Sequence, residues 1–198
     1  MFSLGQYHDG AVRGLAKKQN IIADYLLVHN SKIDMDVVKY REIPVCPECG
    51  VQMDYRDSRK RIRCRKGGTR SWVLVSRFLC AVCHHLHTAL PDFLAPHKHY
   101  ETEIIREVID GEVTTETIEA ETYSYPSEIT MVRWAAWFEQ NKADMEGHLR
   151  RVTGLLGFGD AKVNQSLLEE LRMESERWLE ALLRIIYNSG GYLVPLRA

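Results

Sequence analysis

Two C-x-x-C pairs, Cys46–Cys49 and Cys80–Cys83, restrict the fold of this chain more than any other feature. A C-x-x-C turn presents two thiolates from one tight knuckle, and two knuckles complete a tetrahedral four-sulfur set of the kind zinc takes. Pro47 and Gly50 give the first pair the punctuation such a turn favours, and the second pair follows directly on a strand-like run. Thirty residues (50–79) separate the pairs, more than the usual spacing of about fifteen to twenty, and a long hairpin accounts for the excess. Cys46, Cys49, Cys80 and Cys83 are therefore expected to hold one structural Zn2+, with no open position for a reacting water. Redox C-x-x-C motifs are the competing reading, but they come singly and in a βαβ setting. His84, His85 and His87 stand close enough in sequence to replace a thiolate, and Cys64 reads as a small buried hydrophobe.

The residues between the knuckles alternate with period two. Arg59, Arg61, Arg63 and Arg65 occupy every odd position of a strand-like run, with Lys60, Ile62 and Cys64 between them, so the four guanidinium groups are expected on one face. Lys66-Gly67-Gly68-Thr69 is a turn signal, and Trp72–Leu79 returns as a strand. From 56 to 70, Arg56, Arg59, Lys60, Arg61, Arg63, Arg65, Lys66 and Arg70 face the single acid Asp57. Such a concentration of one sign points to a polyanion, and the excess of arginine suits phosphate and guanine edges. Stacking platforms are poor, with only Tyr55 and Trp72 flanking the run, so duplex DNA is favoured over single strands. A solvated charge face that keeps the sheet soluble is the plainer alternative.

Charge divides the chain further. Residues 1–40, 41–100 and 101–198 carry nets of +1, +6 and −8 within an overall −1, so a basic module adjoins an acidic one. Residues 1–43 form an N-terminal segment in which the apolar run Ile21–Val28 leans towards helix. Residues 44–99 form the ribbon, its basic hairpin and a connector, Leu90–Pro96, with two prolines. Residues 100–143 read as helix-turn-helix-like: a helix over Thr102–Asp110 stopped at Gly111, a short helix over Thr115–Thr122, a turn at Ser124–Pro126, and a third helix capped by Ser127 and running to about Asn141. Ile118 and Ala120 are expected to pack against Val132 and Ala136, leaving Ile129, Thr130 and Arg133 to reach a groove. This region is acidic, however, with three Lys/Arg against ten Asp/Glu over 101–143. Residues 144–198 complete the bundle with a helix over Asp144–Leu156 and a last one from Ser166 to about Tyr187, where Ser166 and Glu169 form a capping box. Trp178 is expected to be buried in that core, and a dimer through the last helix is the competing reading. The fold class is thus α+β, a small zinc-ribbon hairpin followed by an all-α, helix-turn-helix-like bundle.

The motifs Cys46–Gly50, Arg56–Arg59, Arg77–Cys83 and Leu90–Pro96, with Ser127–Trp134, are similar to those of an uncharacterised bacterial family encoded near transposases. Its members resemble the zinc-ribbon and helix-turn-helix front end of transposases. Over about 45–140 the resemblance implies a DNA-related, non-catalytic role in a mobile element, with a transposase or another mobile-element protein as partner. No spacing brings nucleophile, base and orienting group together, so no enzyme is expected. The expected function is a DNA-binding accessory or regulatory protein. Its alternative is an interaction scaffold whose acidic helices dock a partner while the zinc serves only structure. The N-terminus shows no secretory signal and no apolar run reaches eighteen residues, so the expected location is cytoplasmic, at the nucleoid, without a membrane.

Overall fold

The computed structural model describes residues 18–117, 126–156 and 165–195, and combines a curled six-stranded sheet with four helices. The strands are β1 (Lys18–Ile22), β2 (Tyr25–Asn30), β3 (Met35–Tyr40), β4 (Asp54–Cys64), β5 (Arg70–Leu79) and β6 (Leu86–Pro91). The helices are α1 (Thr102–Ile109), α2 (Glu128–Leu155), α3 (Leu167–Glu174) and α4 (Trp178–Asn188). None of the described helices is long and apolar enough to cross a membrane.

The basic hairpin is the spine of the sheet. β4 and β5 pair antiparallel along almost their whole length, with one irregularity between Tyr55 and Asp57. The turn forms where the paired glycines require it: Gly67 and Gly68 take φ of 86° and 75°, and Arg65 exchanges backbone bonds with Thr69 and Gly68. Because β4 occupies one edge of β5, the other edge is shared. β6 pairs antiparallel with Arg77–Leu79, and β3 pairs parallel with Val73 and Leu74. β1 extends the sheet beyond β6 in parallel, and β2 extends it beyond β3 antiparallel.

The run Ile21–Val28 is therefore not helical. It divides into β1 and β2 around the bend at Ala23-Asp24. Ile21 is buried in β1, whereas Leu26, Leu27 and Val28 of β2 stay partly exposed. Local pattern cannot separate a strand from a helix in so short an apolar run; pairing with β6 and β3 decides it. Asn188, at the end of α4, binds the backbone of β1 directly. Its Oδ1 accepts from the Ile21 amide at 2.8 Å and its Nδ2 donates to the Ile21 carbonyl at 2.8 Å.

The helices pack around Ile104, Ile105, Trp134, Trp137, Phe138, Met145, Leu168, Trp178 and the apolar face of α4, with Ile21 joining from the sheet. Two helix boundaries differ from expectation. The segments read as two helices, ending near Asn141 and beginning at Asp144, are one helix, α2. Asn141 does not terminate it: its Nδ2 donates to the Trp137 and Val194 carbonyls, and its Oδ1 accepts from the Val194 amide. The last helix is instead two. It breaks at Ser175, whose backbone is extended (φ −137°, ψ 121°), and restarts at Trp178, which seats the indole in the core. Ser166 caps α3 by accepting from the Glu169 amide, but the Glu169 carboxylate turns to Lys142 and Arg172 rather than closing a capping box. Gly111 ends α1 at φ 74°, as the glycine signal required.

Trp178 is 2% exposed, stacks edge-on with Phe138 at 5.6 Å, and donates its indole N–H to Asp110. Trp178→Ala is expected to lower unfolding free energy by about 3–5 kcal/mol, read from urea denaturation followed by far-UV circular dichroism.

Candidate metal centre

The four cysteines of the two pairs converge. Their Sγ atoms all lie within 4.8 Å of one another, and Cys46 Sγ and Cys83 Sγ are 3.8 Å apart. A tetrahedral ion with ligand bonds of about 2.3 Å would set its sulfurs roughly 3.8 Å apart, the separation of Cys46 and Cys83, so the donor set suits such an ion.

Each knuckle builds its geometry in the same way. In the first, the Gly50 amide donates to the Cys46 carbonyl, and the Cys46 amide donates to Val51. In the second, the His84 amide donates to the Cys80 carbonyl, and the Cys80 amide donates to His85. The residue after the second cysteine takes a positive φ in both, 68° at Gly50 and 58° at His84. Glycine accepts that conformation freely, whereas a residue with a Cβ does so at a cost. The first knuckle leads towards β4 and the second joins β5 to β6, so the cluster ties together three strands of the sheet.

Ionisation within the cluster is uneven. The backbone amides of Cys83 and Val82 pull Cys80 down to about 7, while burial and then the three neighbouring sulfurs push Cys49 up. Four adjacent thiols cannot all lose their protons unless a cation takes up the charge. That chemistry suits a metal ion.

The nearby histidines do not replace a sulfur. His84 is exposed at the turn. His85 bonds Glu48 at 2.8 Å, and this pair lies with Cys83 in a second, more open group whose carboxylate also meets Lys18. His87 is fully buried and touches Cys46 from outside the cluster, its Nε2 3.8 Å from Sγ. Its Nδ1 is 2.9 Å from Asn20 Oδ1, and Asn20 Nδ2 donates to the Val45 carbonyl. β1 thus supports the first knuckle, a role that the sequence of residues 1–43 gave no means of seeing. Cys64 is buried at the end of β4, where its backbone pairs with His99 and Glu101.

The basic residues divide into two sets. Arg59, Arg61 and Arg63 lie opposite Val75, Val73 and Ser71 and so share one face of β4. That is the face of the buried valines, on which Arg61 and Arg63 reach Lys98 and Glu101 while staying partly exposed. Arg63 pairs with Glu101 at 2.6 Å and lies over the Phe93 ring at 4.2 Å. Arg65, just past the strand, pairs with Asp36 at 3.1 Å, and Lys66 with Glu107 at 2.6 Å. Arg56 approaches Asp57 at 3.9 Å, but Asp57 is engaged mainly by Arg77. Asp36, Glu101 and Glu107, distant in sequence, relieve part of the repulsion within this run. Arg59, Lys60, Arg61 and Arg70 have no carboxylate partner among the described residues.

In α2, Arg133 is exposed, and Thr130 Oγ1 lies 3.0 Å from Ser127 Oγ. The side expected to pack on a preceding helix does not: Val132 and Ala136 are exposed, while Met131, Trp134, Trp137 and Phe138 fill the core. The bulkier residues win the buried stripe because they remove more apolar surface from water. Most of the short helix expected over Thr115–Thr122, with Ile118 and Ala120, lies outside the described residues.

Comparison with known proteins places one domain here. Residues 46–134 match the family model of a domain of unknown function, DUF6431. The domain opens on the first cysteine of the cluster and closes on Trp134 in the helical core, so it takes in both knuckles, the hairpin, the connector and α1. No curated protein and no solved structure matches the chain.

The two knuckles differ in one respect that can be measured. Replacing His84 by glycine removes the left-handed strain, about 1–2 kcal/mol, at the cost of a more flexible unfolded chain, about 0.4–1 kcal/mol. His84→Gly is therefore expected to raise stability by roughly 0.5–1 kcal/mol without altering metal content. Denaturation with metal analysis on the same sample checks both.

Proposed function

We propose that the ion is a single structural zinc and that the chain is a DNA-binding accessory or regulatory protein of a mobile element. Four thiolates without an open ligand position suit zinc as a staple. The observation that carries the nucleic-acid reading is the set of cations left over once internal ion pairs are made. Arg59, Lys60, Arg61 and Arg70 lie along β4 and at the start of β5 with no carboxylate of their own among the described residues. Phosphates of duplex DNA would supply the missing charge, with release of condensed counterions. The resemblance to the front end of transposases supports the same assignment, with the transposase as the partner protein. Thr130 and Arg133 would approach DNA only if α2 turns its first exposed turns to a groove.

One observation favours a second reading. Arg63, Arg65 and Lys66 are matched by the protein's own acids, as expected of a hairpin that organises structure and leaves the acidic helices to dock a partner. Salt dependence separates the two. For the first reading, binding to random duplex DNA falls steeply with salt, and replacing Arg59, Lys60, Arg61 and Arg70 together by Gln flattens the log–log slope by about 3.6, roughly 0.9 per phosphate. Arg63→Gln should lower stability and leave the slope in place. Absence of DNA binding at low salt by the zinc-loaded chain would favour the scaffold.

A further inference from the structure

The sheet ends on three strands, β1, β2 and β4, and two of these edges are guarded. At the outer edge of β1, Asn188 takes up both the amide and the carbonyl of Ile21. β4 is held at Cys64 by the backbone of His99 and Glu101, and along its length it carries Arg56, Arg59, Lys60, Arg61 and Arg63. Covering groups and charges are the usual means by which a sheet edge is kept from pairing with another chain. β2 has neither. It reads Tyr-Leu-Leu-Val-His-Asn, without Lys, Arg, Asp, Glu, Pro or Gly, and it pairs with β3 without a bulge. Leu26, Leu27 and Val28 are 51%, 38% and 38% exposed. Among the described residues, nothing bonds the outer backbone of this strand.

One bond fixes which backbone groups are free. The Arg41 amide donates to the Asp24 carbonyl, one step before the first pair of the ladder, Tyr25 with Tyr40. Backbone groups alternate in direction along an antiparallel pair. Leu26, Val28 and Asn30 therefore address β3, while Tyr25, Leu27 and His29 present their N–H and C=O groups outward. That outward set is symmetric about Leu27. Two copies of β2 laid antiparallel, with a two-fold axis at Leu27, set outward groups only against outward groups. Leu27 then meets its own copy, and Tyr25 of one chain meets His29 of the other. Leu26 stands opposite Val28 of the other chain, on the face that Val28 shares with Val37. No like charges are opposed within the strand. Asp24, just before it, comes to the end where Lys32 of the other chain follows its strand.

We propose that the outer edge of β2 is an interaction surface for a second copy of this chain, the two strands pairing about Leu27 to join two six-stranded sheets into one. Backbone bonds set the direction of the pair, and the apolar pairs across it cover side chains that the single chain leaves exposed. A two-fold contact of this kind closes on itself, so it yields a dimer and not a fibre. β2 contributes no residue to the cysteine cluster or to the basic run, so the pairing stands independently of the DNA reading.

The test uses the full zinc-loaded chain. Sedimentation equilibrium over roughly a hundredfold range of concentration should show monomer passing to dimer. Leu27→Lys and Leu27→Glu each set like charges against each other on the axis, and each should weaken the dimer by about tenfold or more. An equimolar mixture of the two variants should restore it, because the two-fold places position 27 against position 27. Hydrogen exchange should protect the amides of Tyr25, Leu27 and His29 only where the dimer forms, whereas those of Leu26 and Val28 stay protected by β3 throughout. Zinc content and far-UV dichroism report that each variant is folded. A monomer at every concentration overturns the proposal, whether the three outward amides exchange freely or are protected by another segment of the same chain. A dimer that both variants keep when alone, or a mixture that fails to restore pairing, also overturns it.

Discussion

The convergence of two knuckles on one point is the constraint from which the rest of this structure follows. Cys80–Cys83 closes the turn from β5 to β6, and Cys46–Cys49 sets the entry to β4, so holding the four sulfurs together fixes where three strands begin or end. β6 then offers its free edge to β1, and β1 carries Ile21 into the helical core while Asn188 bonds its backbone from α4. One link between the cysteine cluster and the helical half therefore runs through this short strand. In the same strand Asn20 links the knuckle at Val45 to the buried His87 that rests against Cys46.

Electrostatics explains why so basic a hairpin can fold beside so acidic a half. The charge asymmetry along the chain is not only an asymmetry between surfaces, because Glu101 and Glu107 lie against Arg63 and Lys66. A half-buried arginine facing a carboxylate is tolerated, and removing one partner would leave the other unpaired in a poorly solvated place. Among the described residues, Arg59 and Arg61 fall outside this matching.

How far the sequence predicts this structure depends on whether the signal is local. The C-x-x-C pairs, the paired glycines of the hairpin, Gly111 and Ser166 all act within a few residues, and each is found where its local chemistry places it. Ile21–Val28 was misleading because pairing with β6 and β3, not periodicity, sets its conformation. The break at Ser175 and the continuity through Asn141 likewise answer to tertiary contacts, the burial of Trp178 and the bonds to Val194. At the candidate site, the four-cysteine cluster was legible from spacing, but its support by Asn20 and His87 was not. The arginine run was legible as charge, while its division into matched and unmatched cations required Asp36, Glu101 and Glu107 to be placed in space.

The central claim is that a metal held by Cys46, Cys49, Cys80 and Cys83 organises the sheet. Its most direct test is elemental analysis of chelator-free protein, joined to amide hydrogen exchange before and after metal removal. The account predicts one zinc per chain, and loss of protection on chelation at both knuckles, β4–β6 and β1, since binding free energy is here folding free energy. Protein that carries no metal, or whose strands keep full protection after the metal is stripped, would contradict it.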